Sequence, residues 1–224
     1  MRIVATSDTH FPFSADQVPD GDVFIHGGDL MYTGLPDEWY ARVDSLAALP
    51  HKTKLFVPGN HDYHMEHYEG LARAELRRIA KVRTIGTHPD FAMASLPNGM
   101  KVLGIPFVTG LNGWAFCRGE EWVLDYLKSL DFDNNYCDVI VSHAPVYQML
   151  DVVNPDDPHF DFEHVGGLAL NYWYHSLKVK PKVWINGHIH ESYGRLLTEE
   201  TAFYNVAMCD RNYEQNNAPM VIDL

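Results

Sequence analysis

Five short apolar segments in this chain of 224 residues end in turns that carry Asp, His or Asn. Residues 2–6 run into Ser7-Asp8-Thr9-His10, and residues 22–26 into Gly27-Gly28-Asp29. Residues 54–57 run into Pro58-Gly59-Asn60-His61-Asp62 and residues 138–142 into His143-Ala144-Pro145. The fifth, Val183-Trp184-Ile185, leads to Gly187-His188-Ile189-His190. Runs of this length and composition read as buried strands. Ligands of α/β folds collect beyond the carboxyl ends of strands. The fold must therefore gather five strand ends that are far apart in sequence.

Helical patterns separate these strands. Asp37-Glu38 open one, with Trp39, Val43, Leu46 and Leu49 on one face and Pro50 as its stop. Others are expected over residues 66–81, 119–130 and 165–177, the last weakened by its early glycines. Shorter strands are expected at 82–85, 91–96 and 101–105, with Pro97-Asn98-Gly99 as a hairpin turn, and at 192–197, 202–206 and 220–222. There is no repeat, low-complexity tract or obvious linker. The expectation is one α/β domain over residues 1–224, a layered β-sandwich flanked by helices with its site at the strand ends.

The gathered residue types are carboxylate, imidazole and one carboxamide. Asp8, His10, Asp29, Asn60, His143, His188 and His190 make seven candidate metal ligands. A mixed N/O set suits Zn, Mn, Fe, Co or Ni rather than calcium. Seven is too many for one four-coordinate ion and fits two that share a carboxylate. Two ions about 3.5–4 Å apart can clamp the attacking and leaving oxygens of a displacement at phosphorus.

The formal net charge is −13, which argues against stable nucleic-acid binding unless positive charge is supplied locally. Bound dications are one such supply. Cys117, Cys137 and Cys209 are odd in number and form no Cys-x-x-Cys pair, so a reducing compartment is expected. Met1-Arg2-Ile3-Val4-Ala5 enters a strand pattern with no signal peptide, and no apolar run reaches the roughly 20 residues of a membrane span. A cytoplasmic location is expected, with no membrane association; a homo-oligomer stays open.

Asp8-x-His10, Gly28-Asp29, Gly59-Asn60-His61-Asp62, His143 and Gly187-His188-x-His190 together resemble the five-part signature of the calcineurin-like metallophosphoesterases. All five blocks occur in order. The stretch from Gly187 to Gly194, Trp114-Ala115-Phe116 and the terminal Ala218-Pro219-Met220-Val221-Ile222-Asp223-Leu224 resemble a small class III-type metallophosphodiesterase branch of that superfamily. The loop at 151–163 does not follow that branch.

The resemblance implies an α/β/β/α metallophosphoesterase fold and two divalent metal ions, Mn favoured. It implies that Asp8, His10 and His190 hold one ion, that Asn60, His143 and His188 hold the other, and that Asp29 bridges them. It further implies a phosphodiesterase acting on a small phosphoester, a nucleotide among the options. Its nucleophile would be a water or hydroxide between the metals and its general acid His61. Asp62 would orient His61, as carboxylates commonly fix an imidazole tautomer. The alternatives are a nuclease or nucleotide pyrophosphatase of the same fold, or an inactive protein-binding scaffold. Protein phosphatases of the superfamily carry an Asp-Arg-Gly block after the Gly-Asp turn; here Leu30-Met31-Tyr32-Thr33-Gly34 stands there.

The remaining histidines carry weaker signals. His26 reads as a packed group behind the Gly27-Gly28-Asp29 turn. His64 and His67 read as solvated helix-start residues, with His64 a lesser candidate for facing substrate. His159 and His164 flank the 151–163 loop, where an exposed polar loop is a simpler reading than an extra metal site.

Overall fold

The computed structural model describes residues 1–88, 92–130, 132, 136–153 and 163–224. Strands β1 (Arg2–Thr6), β2 (Val23–His26), β3 (Thr53–Phe56) and β4 (Val82–Thr84) lie side by side and parallel. The C-terminal strand β13 (Met220–Asp223) adds antiparallel to β1, pairing Arg2 with Asp223. A second sheet is built from β5 (Met93–Ser95), β6 (Lys101–Ile105), β7 (Val139–Ser142), β10 (Val183–Asn186), β11 (Gly194–Leu197) and β12 (Ala202–Asn205). Its order is β11-β12-β10-β7-β6-β5, with the four central strands parallel and both edge strands antiparallel. Two further strands, β8 (Val152–Val153) and β9 (Glu163–His164), pair with each other.

Residue alternation along the strands builds the layers, because successive side chains point to opposite faces. Ile3, Ala5, Val23, Ile25 and Leu55 of the first sheet share one core with Val102, Val139, Val141, Val183 and Ile185 of the second. The two sheets therefore pack face to face. The intervening residues Val4, Phe24 and Phe56 join a core with Trp39, Val43 and Leu46 of helix α1 (Pro36–Ala48). On the second sheet Leu103, Ile140 and Trp184 join Leu127 of α4 (Glu120–Ser129) and Leu170 and Trp173 of α5 (Leu168–Ser176). The result is two mixed sheets flanked by helices, as expected. Trp184 is fully buried and its indole N–H donates to Ser142 Oγ at 2.8 Å, so this central strand leaves no polar atom of that ring unpaired. Among the described residues no helix is long and apolar enough to cross a membrane.

Several boundaries differ from the sequence reading. The helix expected over 66–81 is three pieces: α2 (Tyr63–His67), α3 (Glu69–Glu75) and a wide π turn over Leu76–Ala80. Tyr68 leaves helical geometry (φ −124°, ψ 37°), and Lys81 ends the segment in the left-handed region at φ 57°. Helix α5 starts at Leu168 because Gly166 and Gly167 are held outside it, the Gly167 N–H donating to Pro145 O at 2.9 Å. A short 3₁₀ turn, His190–Ser192, delays β11 to Gly194. Positions 89–91 and 154–162, including the start of the 91–96 strand and His159, lie outside the described residues.

Candidate metal centre

The carboxyl ends of β1, β2 and β3 from one sheet meet those of β7 and β10 from the other. Asp8, His10, Asp29, Asn60, His61, His143, His188 and His190 are brought together there, all buried except His188, which is partly buried. The turns are tightly wound. Asp8, His10, Asp29 and His188 all occupy the left-handed region, with φ of 51°, 52°, 55° and 69°. Asp and His tolerate that region better than most residues, yet each costs energy that the surrounding structure must hold in place. The glycines allow the turns to approach one another. A Cβ at Gly187 would collide with Asp8 Oδ2, and one at Gly59 would collide with Asp29 Oδ1.

Hydrogen bonding orients the imidazoles. The Nδ1 atoms of His10, His143 and His190 face the carbonyl oxygens of Met31, Gly27 and Asp210 at 3.0, 3.0 and 2.9 Å. A carbonyl only accepts, so each Nδ1 carries its hydrogen, and in the neutral ring Nε2 is a bare lone pair. Those lone pairs converge. His10 Nε2 and His190 Nε2 are 3.4 Å apart, and His143 Nε2 lies 3.0 Å from Asn60 Oδ1. Asp8 Oδ1 is 3.4 Å from His190 Nε2, and Asp29 Oδ2 is 3.3 Å from His143 Nε2. Acceptors facing acceptors at these distances call for a cation or for protons between them. The donor set, its burial and its backbone-anchored rings fit a divalent transition metal.

Two groups have donor atoms close enough to share an ion: Asp8, His10 and His190; and Asp29, His143 and His188. A third, His10, Asp29 and His61, overlaps both. Asn60 adjoins the second group through His143.

The electrostatics follow from burial and mutual proximity. Burial pushes His143 down, but the Asp29 carboxylate more than offsets it and lifts the ring to about 9. Burial likewise opposes charge on His190, and Asp8 lifts it to about 9. Both carboxylates feel the converse: burial raises them, while His190 and His143 hold Asp8, and His143 holds Asp29, well below the usual range. His188 is pushed down to about 4 by burial and then by the charge of His143. The site attracts positive charge, whether as protons or as metal.

The expected role of Asp62 is corrected by the structure. Its carboxylate does not orient His61. It accepts four backbone N–H groups instead, from Gly59 (2.8 Å), Asp29 (2.9 Å), Leu30 (3.0 Å) and Met31 (3.1 Å). Asp62 thus ties the β2 turn to the β3 turn. Burial, and then the Asp29 carboxylate, push it up to about 7, against the pull of the Gly59 and Met31 N–H groups. His61 is oriented by Tyr32, whose carbonyl oxygen faces Nδ1 at 2.5 Å, while the His61 backbone N–H donates to Asp29 Oδ1 at 2.8 Å.

The other histidines sort plainly. His26 is buried behind the site, its Nδ1 accepting the Gly28 N–H and its Nε2 facing Thr9 Oγ1 at 3.0 Å. His64 is neither solvated nor at the metal cavity; it is buried against Trp39, ring centroids 4.8 Å apart. His164 pairs with the buried Asp151 carboxylate at 2.6 Å.

A cavity of about 310 Å³ opens over the site, lined by Asp29, Asn60, His61, Trp114, Arg211 and Tyr213 among others. The last two carry no signal in the sequence. They lie in the 207–217 connection between β12 and β13, where Asp210 and the asparagines mark a turn and nothing marks the chemistry. The Tyr213 ring packs on His10 and His190 at 4.9 and 5.0 Å.

These strand ends and turns bring together groups that could hold metal ions, and comparison with known proteins gives the family. Residues 1–192 match the calcineurin-like phosphoesterase family, and the chain belongs to that family. It is 28% identical to human metallophosphoesterase domain-containing protein 1 over 100% of this chain and 71% of that protein. It is 29% identical to the UPF0046 protein K07C11.7 of Caenorhabditis elegans over 99% of this chain and 74% of that one. Among solved structures, TT1561 of Thermus thermophilus superposes with a TM-score of 0.61 at 15% identity, covering 91% of this chain and 88% of that one. That likeness shows the fold. Family and grouped histidines and carboxylates support a metal-dependent phosphoesterase, a hydrolase of phosphoesters.

Proposed function

We propose that this chain is a phosphodiesterase that works with two divalent metal ions, manganese favoured. The carrying observation is the convergence of Nε2 lone pairs and carboxylates into two ligand groups, set in a family that hydrolyses phosphoesters. Asp8, His10 and His190 would hold one ion and Asn60, His143 and His188 the other, with Asp29 shared. Such ions, when bound, make hydroxide available near neutral pH and offset charge on the phosphoryl oxygens. The chain's own residues do the rest. The backbone carbonyls of Met31, Gly27 and Asp210 keep the rings aimed inward. His61 is the general acid. In its doubly protonated form Nδ1–H stays on the Tyr32 carbonyl and Nε2–H is given to the leaving alkoxide. Asp62 acts through the backbone, holding the Asp29 and Asn60 turns in register.

A small phosphoester fits a cavity of about 310 Å³ better than a polymer does. A cytoplasmic setting is the reading we favour, supported by three free cysteines, two of them buried. The deciding assay supplies Mn²⁺, Co²⁺ or Ni²⁺ and measures hydrolysis of bis-p-nitrophenyl phosphate beside the monoester. Faster turnover of the diester is expected. No turnover of either with any of the three metals would sink the reading.

A further inference from the structure

We propose that Arg211 and Tyr213 form a substrate subsite on the rim of the metal cavity. In it the Arg211 guanidinium pairs with an anionic oxygen of the phosphoester, and the Tyr213 ring packs on its organic group. The proposal rests on the phosphoesterase reading and adds residues outside the five signature blocks.

Charge is the first ground. Arg211 is exposed and lines the cavity, and among the described residues it has no carboxylate within ion-pair distance. No other Lys or Arg among the described residues lines that cavity. In a chain of formal net charge −13, with Glu191 lining the same cavity, an arginine left without an acidic partner is available to an incoming anion. Guanidinium is suited to that task, since its planar fork matches two oxygens of a phosphoryl group.

Backbone order is the second ground. The turn that presents both side chains is closed by its own hydrogen bonds. Asp210 Oδ1 accepts the N–H groups of Asn212 (2.7 Å) and Glu214 (3.1 Å), and Asp210 Oδ2 accepts Asn216 Nδ2 at 2.9 Å. Gln215 Nε2 donates to Thr9 O at 2.6 Å, which fastens the turn to the Asp8–His10 loop. Tyr213 sits in the left-handed region at φ 62°, a conformation a tyrosine keeps only where its surroundings impose it. That conformation lays its ring on His10 and His190.

The third ground is the apolar wall. Tyr213 meets Tyr32 edge-on at 5.4 Å, Tyr32 stacks with Phe11 at 5.3 Å, and Trp114 packs on His61 at 4.6 Å. All four aromatic residues are exposed, and Trp114 and Tyr213 line the cavity itself. The Tyr213 hydroxyl has no hydrogen-bond partner among the described residues, leaving it for the substrate. An aromatic or otherwise apolar ester group fits this surround better than a polyol.

The test uses the full chain loaded with Mn²⁺ and compares wild type with Arg211→Ala, Arg211→Lys and Tyr213→Ala. Two readouts are taken: steady-state kinetics on bis-p-nitrophenyl phosphate, and calorimetric binding of inorganic phosphate. For Arg211→Ala we expect KM to rise about tenfold with kcat within about threefold, the signature of lost ground-state and transition-state binding alike. Phosphate affinity should fall in parallel, and Arg211→Lys should lie between. Raising salt from about 0.05 to about 0.5 M should weaken phosphate binding by wild type more steeply than by Arg211→Ala. Tyr213→Ala should raise KM severalfold with bound manganese unchanged. If wild type turns over neither this diester nor the corresponding monoester, the phosphoesterase reading fails, and phosphate binding still reports on Arg211. Arg211→Ala with KM and phosphate affinity within twofold of wild type overturns the subsite.

Discussion

The backbone carbonyl of Asp210 faces His190 Nδ1 at 2.9 Å and also accepts the backbone N–H of Tyr213 at 2.9 Å. One oxygen thus aims a candidate metal ligand and closes the turn carrying Arg211 and Tyr213. The carbonyl stays where it is because the Asp210 carboxylate holds the turn from inside. Asp210→Ala removes those acceptors without touching a ligand. Groups that orient metal-binding histidines typically contribute 10–100-fold in affinity. We expect manganese affinity to fall by about tenfold, with Asp210→Asn closer to wild type because one oxygen acceptor remains. Competition against a fluorescent chelator measures both.

Metal removal should lower stability. The folded chain gathers buried carboxylates and facing lone pairs that an unfolded chain does not, so an ion binds the native state preferentially. At 100-fold excess over Kd this contributes about 2.7 kcal/mol. For a domain of this size that corresponds to a loss of roughly 5–10 °C in Tm on chelation. Calorimetric scans with and without EDTA, followed by readdition of Mn²⁺, check both the drop and its reversal. A Tm indifferent to EDTA and to Mn²⁺ would contradict metal binding at this site.

His61 and Asp62 are neighbours in sequence and should behave as different kinds of residue. His61→Ala deletes a ring that lines the cavity while leaving the Asp29 and Asn60 turns tied. Metal content should hold and kcat should fall, most for esters with poor leaving groups, since good ones need little protonation. Asp62→Ala strands four buried backbone N–H groups, each costing about 1–3 kcal/mol, so a destabilisation of about 4 kcal/mol or more is expected with loss of metal. Urea unfolding and metal analysis of the two variants separate the roles. Equal stability of the two would show that the Asp62 contacts carry no weight.

That pair also shows what the sequence makes legible. The strand ends can be read because strand patterning and Gly-Asp-Asn turns are local, and Asp8, Asp29, Asn60, His143 and His188 each sit one to four residues past such a run. The role of Asp62 cannot be read that way. Three of its four partners are backbone N–H groups from a turn about thirty residues earlier, and backbone groups have no letter in a sequence. The same holds for Tyr32 and Asp210, which act through carbonyl oxygens. Arg211 and Tyr213 lie in a turn without periodicity, brought to the cavity only when β13 returns to pair with β1 in the other sheet.

His26 offers a prediction on acid stability. It is fully buried, and burial pushes its ring down to about 3 from the ordinary 6.5, with Asp8 and Asp29 only partly opposing. The neutral ring accepts the Gly28 N–H at Nδ1 and turns Nε2 toward Thr9 Oγ1. Unfolded, the same ring binds a proton near 6.5, so between about 6.5 and about 3 the unfolded chain holds more protons at this position than the folded one. The contribution of His26 is therefore complete above about pH 6.5 and is lost progressively as pH falls toward 3. His26→Gln removes this titration while keeping a neutral hydrogen-bonding side chain. In metal-free protein, where ligand exchange does not intrude, wild type should lose stability between about pH 6 and about pH 4 more steeply than His26→Gln, by up to about one proton per molecule in the linkage slope. Urea midpoints taken every half unit give that slope directly. Parallel curves for the two proteins would mean that His26 does not stay neutral in the folded chain.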